Sequence, residues 1–144
     1  MVAHNNIVGV GREQDWNSHG IEHELSALYD CAHGAGLAVI MPSWMEYVMH
    51  HDVMRFAQVA TRVWGCQMNF THPEETAKEG IKRFRQFLHS IGMPINFKEL
   101  GAKESDIPHL VKTFGIGDGE TGGFVHLKAN DIANIYKIAV DASV

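Results

Sequence analysis

Residues 19–40 of this chain read HGIEHELSALYDCAHGAGLAVI, and their pattern is the most informative about the fold. Apolar side chains recur near the helical period as far as Asp30, which predicts a helix with Asp15 as its capping residue. A pair of glycines then interrupts the pattern, and residues 37–49 predict a second, buried helix with a proline inside it. The stretch therefore predicts two helices joined by a reversal of the chain at residues 30–36.

The rest of the chain also carries helical patterns, and its capping residues predict where further helices begin. Helix starts are predicted at Asp52, at the capping box of Thr71 and Glu74, at Ser105, and at Asn130 or Asp131 before a last helix over residues 132–140. Gly65 and Gly92 predict two of the helix ends. Five glycines within residues 115–123 predict a loop, and residues 124–127 give only a weak strand signal. The expected fold class is all-α, an irregular bundle of about six or seven helices.

The composition is that of one globular domain with a real core, because 45% of the 144 residues are apolar. A formal net charge of −5 without a basic stripe argues against a nucleic-acid partner. No apolar run approaches the roughly 20 residues that cross a bilayer, and the N-terminus lacks a secretory signal pattern. Cys31 and Cys66 form no disulfide framework, so a cytoplasmic location without a membrane partner is expected.

Three of the ten histidines carry the chemical signal. His19 and His23 are four residues apart, which places both on one face of a helix, and His33 follows ten residues after His23. On an unbroken helix His19 and His33 would stand about 21 Å apart, whereas two nitrogens that bind one ion lie within about 4 Å of each other. A shared ion therefore requires the chain to turn back, which the glycines of residues 30–36 permit.

Spacing alone leaves other interpretations open. The histidines can be surface or capping residues of a helical module without chemistry. Residues 19–23 also fit the inverted zinc-protease motif H-x-x-E-H, in which Glu22 would be the general base. Replacing Glu22 would then abolish peptide cleavage, whereas in a metal site of another kind we expect metal binding to stay largely intact. Asp15 and His19, four residues apart, could also hold a metal, although capping explains Asp15 more simply.

Residues 19–38, HGIEHELSALYDCAHGAGLA, strongly resemble the iron-containing alcohol dehydrogenase family, and within it the butanol dehydrogenases that use NADH or NADPH. The shared pattern is a histidine, a second histidine four residues on, a His-Gly pair ten further on, a run of small residues, and a proline where Pro42 stands. Residues 3–16 resemble the segment before the family's ligand helix, and residues 127–139 resemble its final helix. The resemblance covers nearly the whole chain and favours the metal site over the alternatives.

The resemblance implies roles for individual residues. His19 and His33 match the family's two C-terminal metal ligands, and His23 matches a histidine beside the ion and the nicotinamide that relays a proton. Residues 121–123 match a segment near the substrate mouth. The family's other two ligands are an aspartate and a histidine four residues apart on an upstream helix. The glycines of residues 115–119 follow a helix and open none, so they are not a dinucleotide-binding fingerprint.

The implied protein is an NAD(P)-dependent alcohol dehydrogenase that interconverts a small aliphatic alcohol such as butanol and its aldehyde, with Fe²⁺ or Zn²⁺ as Lewis acid. Residues 1–144 are then a single helical metal-binding domain, like the α domain of dehydroquinate synthases. NAD or NADP would be bound mainly by an N-terminal nucleotide-binding domain that is absent here. Residues 1–11 resemble the tail of a helix whose beginning is missing. These 144 residues alone are expected to be inactive, and exposed apolar surface around the histidines predicts a homo-oligomer.

Overall fold

The computed structural model describes residues 7–144, and within them the chain forms seven α helices, as the helical pattern predicted. The helices are α1 (Asn17–Tyr29), α2 (His33–Val48), α3 (Val53–Trp64), α4 (Pro73–Ser90), α5 (Phe97–Leu100), α6 (Ile107–Phe114) and α7 (Ala129–Asp141). Short 3-10 turns lie at Ile7–Gly9, Met49–His51 and Glu104–Asp106. The weak strand signal corresponds to an isolated antiparallel bridge between Thr121 and Leu127. No helix in residues 7–144 is both long enough and apolar enough to cross a membrane.

The reversal between α1 and α2 is made by Asp30, not by the glycines that the sequence suggested. Asp30 adopts a left-handed conformation with φ +50°, and its N–H donates to the Ser26 carbonyl, which closes the last turn of α1. Helix α2 begins at His33 rather than at residue 37, because Ala32 is extended and its carbonyl accepts the first N–H bonds of the new helix. The two glycines within residues 34–36 therefore lie inside α2.

Helix α2 is the centre of the bundle and packs against α1, α4 and α7. Pro42 lies inside α2 without ending it, and the Ser43 hydroxyl donates to the Val39 carbonyl at 2.9 Å. Tyr136 of α7 anchors α1, because its buried hydroxyl donates to the Ile21 carbonyl at 2.7 Å. The shared apolar core includes Ile21, Leu25, Val39, Ile40, Leu110, Ile132, Ile135 and Tyr136.

Helices α3 and α4 make the most extensive helix–helix contact in the described part of the chain. The predicted limits of α3 are confirmed, because Asp52 accepts the Arg55 N–H at 3.1 Å and Gly65 ends the helix with φ +64°. The two helices approach so closely at Gly80 that a Cβ there would lie 2.8 Å from the Cα of Ala60. The crossing of α3 and α4 therefore requires a glycine at this position.

The predicted capping box at the start of α4 is wrong. His72 precedes the helix, and its side chain makes no capping hydrogen bond. The Asn69 amide oxygen instead accepts the N–H groups of Thr71 and His72, at 3.1 and 3.0 Å, and so organises the loop before Pro73. Asparagine readily bonds to backbone groups two or three residues ahead, which displaces the expected cap. Helix α4 ends close to the predicted Gly92, which has φ +78°.

The starts of α6 and α7 differ from the prediction in detail. Ser105 lies in a 3-10 turn that leads into α6, and its hydroxyl caps neither element. Helix α7 begins at Ala129, so Asn130 lies in its first turn and Asp131 is its third residue. The Asp131 carboxylate reaches back to accept the Lys128 N–H at 2.7 Å, as the third residue of a capping box does.

The start of α1 also differs from the prediction. Trp16 occupies the N-cap position, and Asp15 precedes it. The Asp15 carboxylate accepts the Asn17 N–H at 2.7 Å, but most of its hydrogen bonds go to a distant loop. The helical tail expected over residues 1–11 lies partly outside the described residues, and Ile7–Gly9 form a single 3-10 turn.

Candidate metal centre

Two helices bring three histidines together on one surface of the bundle. His19 and His23 lie about one turn apart on α1, and His33 is the first residue of α2, just after the chain reversal. The ring centroid of His33 lies 5.5 Å from that of His19 and 5.3 Å from that of His23. The reversal thus brings the two predicted ligands, His19 and His33, close to each other, with His23 beside them.

A fully buried carboxylate lies against these histidines. Glu22 of α1 is 0% exposed and hydrogen-bonds to Nδ1 of His33. Its other oxygen accepts from the Ser26 hydroxyl, one turn further along α1. Gly36 of α2 leaves space for the carboxylate, because a Cβ at this position would lie 2.7 Å from the Cγ of Glu22. The glycine that looked like a helix break is therefore the point at which α2 accommodates Glu22.

The surroundings of His19 favour its neutral ring. The Trp16 indole meets this ring edge-on, with the ring centroids 5.1 Å apart. Burial lowers the pKa of His19, and the neighbouring His33 and His23 rings lower it further, while Glu22 acts in the opposite direction. Neutral imidazole is the form that binds divalent metals, so the local electrostatics agree with a ligand role.

The donor atoms on this surface fit a divalent transition metal, since imidazole nitrogens suit Fe²⁺ and Zn²⁺ alike. Nδ1 of His33 is bound to Glu22, so Nε2 is the ring nitrogen that remains for an ion. The side chain of His33 is 49% exposed. Within residues 7–144, ligand atoms of Glu22, His23 and His33 lie within 4.8 Å of one another. His19 is not part of that tight group, although its ring flanks His33. An ion shared by His19 and His33 therefore requires their side chains to turn towards each other.

A cleft of about 470 Å³ opens beside His19 and His23. Phe114 of α6 covers Gly20 so closely that a Cβ on this glycine would lie 3.1 Å from the phenyl ring. The walls combine aromatic side chains with glycine backbone, which suits a small and mainly apolar molecule. The other residues that line the cleft are Gln14, Trp16, Asn17, Thr121, Gly122 and Gly123.

Two side chains at the start of α1 hold the glycine-rich loop that forms one wall of the cleft. One oxygen of Asp15 accepts the three N–H groups of residues 123–125, at distances from 3.0 to 3.3 Å. The buried Asn17 amide donates to the carbonyls of residues 121 and 125, at 3.3 and 3.1 Å. The loop segment that the resemblance placed near the substrate mouth therefore lies beside the histidines.

These contacts bear on the alternatives that the sequence left open. Asp15 is committed to the loop, so it is not free to hold an ion with His19. Glu22 is wholly buried and both its oxygens are hydrogen-bonded, so it does not face a metal-bound water as the base of an H-x-x-E-H protease must. The motif nevertheless drew attention to Glu22, as a candidate general base. No local pattern links Asp15 with Phe124, which is 109 residues away, and sequence reasoning missed that contact.

Comparison with known proteins shows the family to which the chain belongs. A family model described as the C-terminal part of the Fe-containing alcohol dehydrogenase family matches residues 2–140. The chain belongs to the iron-containing alcohol dehydrogenase family. This membership confirms the resemblance carried by residues 19–38, and it confirms the all-α fold expected for this part of an iron-containing alcohol dehydrogenase.

Relatives within the iron-containing alcohol dehydrogenase family are oxidoreductases that are much longer than this chain. NADH-dependent butanol dehydrogenase A of Clostridium acetobutylicum is 35% identical over 138 residues, which are 94% of this chain and 35% of that protein. NADPH-dependent aldehyde reductase YqhD of Escherichia coli is 31% identical over 112 residues, which are 76% of this chain and 28% of that protein. The crystal structure of NADH-dependent butanol dehydrogenase A from Thermotoga maritima matches with a TM-score of 0.88 and 34% identity, over 96% of this chain and 36% of that one. The chain thus spans about a third of the length of these relatives.

Proposed function

We propose that these 144 residues form the metal-binding domain of a nicotinamide-dependent alcohol dehydrogenase that interconverts a small aliphatic alcohol and its aldehyde. The observation that carries the proposal is the convergence of His19, His23 and His33 beside a cleft of about 470 Å³. Family membership supports the reaction class. The relatives' activities, butanol dehydrogenase and aldehyde reductase, support small alcohols such as butanol, and their aldehydes, as the substrate class.

His19 and His33 are the proposed metal ligands, each through one ring nitrogen. The ion, Fe²⁺ or Zn²⁺, supplies Lewis-acid polarisation of the substrate oxygen when it is bound. His33 offers Nε2 because its Nδ1 is held by Glu22, and the His19 ring approaches the same space from α1. His23, which is exposed and lines the cleft, is proposed to face the nicotinamide and to relay a proton between the substrate oxygen and solvent.

The cleft provides the apolar surface that an aliphatic substrate needs. Trp16 and Phe114 contribute aromatic faces, and residues 121–123 contribute backbone that approaches closely because two of them are glycines. A cleft of a few hundred Å³ with few polar groups favours a short carbon chain whose polar end points towards His19 and His23. We propose that this wall, held by Asp15, excludes water from the carbon chain.

Within residues 7–144 the proposed ligand set is incomplete. A catalytic zinc ion typically has three protein ligands and an open position, whereas His19 and His33 supply two. We propose that further ligands, and the fold that holds NAD or NADP, come from residues outside this stretch, since the chain covers 35% of the C. acetobutylicum relative. The relatives use NADH in one case and NADPH in another, and both remain candidates here. A homo-oligomeric state and a cytoplasmic location stay predictions.

Metal titration of the purified chain tests the ligand assignment. Zn²⁺ and, under anaerobic conditions, Fe²⁺ affinities would be measured by chelator competition for the wild type and for His19→Ala, His33→Ala and His23→Ala. His19→Ala and His33→Ala should each lower the metal affinity by at least roughly tenfold, the smallest loss typical of changes next to a metal ligand. His23→Ala should lower the affinity much less. His89→Ala, an exposed histidine in the last turn of α4, is the matched control.

Two outcomes of this titration would contradict the proposal in different ways. Equal losses for His23→Ala and His19→Ala would contradict the division into ligand and proton relay. Unchanged affinity in all three variants would contradict the metal site itself. In a full-length relative, alanine at the position aligned with His23 should lower kcat more than it lowers metal content.

The isolated chain should not catalyse the reaction, because no nucleotide-binding fold lies within residues 7–144 to hold the nicotinamide against the substrate. The assay combines the chain with Zn²⁺ or Fe²⁺, NADH or NADPH, and butanal, and follows oxidation of the cofactor. We expect no rate above a metal-free blank. Aldehyde-dependent oxidation of the cofactor would show that these residues form a complete enzyme.

A further inference from the structure

We infer that Glu22 is a positioning residue that holds the His33 ring with Nδ1 towards the protein and Nε2 towards the metal. The inference rests on the proposed function, in which His33 is a ligand. It adds a residue that touches neither the metal nor the substrate. On sequence grounds alone a Glu22 substitution should leave metal binding largely intact, and the contact between Glu22 and His33 reverses that expectation.

The chemistry of a carboxylate indicates which group donates in this contact. An ionised carboxylate only accepts hydrogen bonds, so Nδ1 of His33 must carry the hydrogen that it donates to Glu22. In a neutral imidazole, Nε2 then holds the lone pair that a metal requires. Histidines that bind metals are commonly held by a carboxylate on their second nitrogen in this way.

The surroundings hold the carboxylate itself in one place. Its second oxygen accepts from the Ser26 hydroxyl, and Gly36 leaves the space that the carboxylate fills. Glu22 is 0% exposed, whereas the side chain of His33 is 49% exposed. Burial of a carboxylate costs free energy unless hydrogen bonds compensate it, and Ser26 and His33 provide that compensation. The buried Glu22 carboxylate is therefore held in place, whereas the His33 ring is accessible to a ligand.

The competing role for Glu22 is that of a ligand, because its carboxylate lies within 4.8 Å of ligand atoms on His23 and His33. Both oxygens of Glu22 are already hydrogen-bonded to protein, and none of the residue is exposed. A carboxylate oxygen can accept more than one contact, but an ion bound to Glu22 would have to enter this closed site beside the bonds to Ser26 and His33. The geometry therefore favours positioning over direct coordination.

The tautomer of His33 in the metal-free chain tests this inference without any metal. Two-bond ¹H–¹⁵N correlation spectra, at a pH where the rings are neutral, distinguish a proton on Nδ1 from one on Nε2. We expect His33 of the wild type to be protonated on Nδ1, and Glu22→Ala to shift it towards the Nε2–H form. Glu24→Ala, two residues away on α1, is the matched control and should leave the spectrum of His33 unchanged. An Nε2–H tautomer in the folded wild type would overturn the inference, and this result needs no variant.

Zn²⁺ affinity gives a second measurement on the same proteins. Glu22→Ala should lower the affinity by about 10–100-fold, and Glu22→Gln by less, because its amide oxygen can still accept from Nδ1. A wild type that binds no zinc even at saturating concentrations would overturn the proposed metal site. Equal affinity of the wild type and Glu22→Ala would overturn the positioning role alone. If Glu22→Gln loses as much zinc affinity as His33→Ala, Glu22 is a ligand, and the positioning role is wrong.

Discussion

His33 has one ring nitrogen bound to the protein and one left for a ligand, and this division depends on residues outside the histidine motif. The spacing of the motif permits His19 and His33 to converge, and the family resemblance favoured that interpretation; their ring centroids lie 5.5 Å apart. The spacing could not predict the partner of Nδ1, because Glu22 and His33 lie on two helices whose crossing is set by packing. Gly36 shows the same limit: glycine inside a helical pattern indicates a break, whereas here it provides space for Glu22.

Replacing Gly36 with alanine should weaken metal binding, although Gly36 touches no metal ligand atom. The new Cβ would lie 2.7 Å from the Cγ of Glu22, so the carboxylate must shift and loosen its hold on His33. We expect Zn²⁺ affinity to fall by roughly tenfold. Gly34→Ala is the matched control, because its Cβ would meet only Met93 at 3.8 Å. If circular dichroism shows that both variants are folded and they bind zinc equally well, the predicted coupling between α2 and the metal site is wrong.

Helix limits were predictable where the cap is local and were missed where it is not. Asp52 and Gly65 bound α3 as expected, because each acts on backbone within a few residues. The turn at Asp30 was assigned to the nearby glycines, since a left-handed conformation is uncommon for other residues. Asp15 has the sequence position of a cap, but its carboxylate holds residues 123–125 instead. Only the folded chain brings that loop next to α1.

Asp15→Ala should release the glycine-rich loop without unfolding the bundle. Three backbone N–H groups in residues 123–125 would lose their common acceptor, which should lower the free energy of unfolding by about 1–3 kcal/mol. Hydrogen exchange measured by mass spectrometry should speed up in the loop and stay unchanged in α3 and α4. Glu13→Ala is the matched control, because Glu13 is an exposed carboxylate in the same segment. Equal rates of hydrogen exchange in the loop of the two variants would show that Asp15 does not hold this wall of the cleft.

For the molecule as a whole, the helical pattern was sufficient to predict an all-α bundle, because α3, α4 and α7 each carry an apolar face and α2 is apolar over most of its surface. Helix α5, with four residues, is too short for periodicity to reveal. The order of packing was only partly predictable: residues 37–49 predicted a buried helix, but nothing local indicates which helices α2 packs against or that α3 and α4 cross at Gly80. These features depend on contacts between residues that are distant in the sequence.

Gly80→Ala should destabilise the whole fold. Its Cβ would lie 2.8 Å from the Cα of Ala60, so α3 and α4 must separate, and we expect unfolding to require about 1–3 kcal/mol less free energy. Urea denaturation followed by circular dichroism measures the difference. Gly34→Ala again serves as the control, since an alanine in a helix without a clash should be neutral or stabilising by up to about 1 kcal/mol. Similar midpoints for the two variants would mean that the crossing tolerates a side chain.

We propose that His19 and His33 share one metal ion. A crystal structure of this chain with Zn²⁺, recorded with anomalous scattering at the zinc edge, tests it most directly. We predict one zinc ion with nitrogens of His19 and His33 at about 2.0–2.1 Å, with Nδ1 of His33 still bound to Glu22 and with His23 outside the coordination shell. An ion held by Glu22, His23 and His33, or no ion on this surface at saturating zinc, would contradict the account.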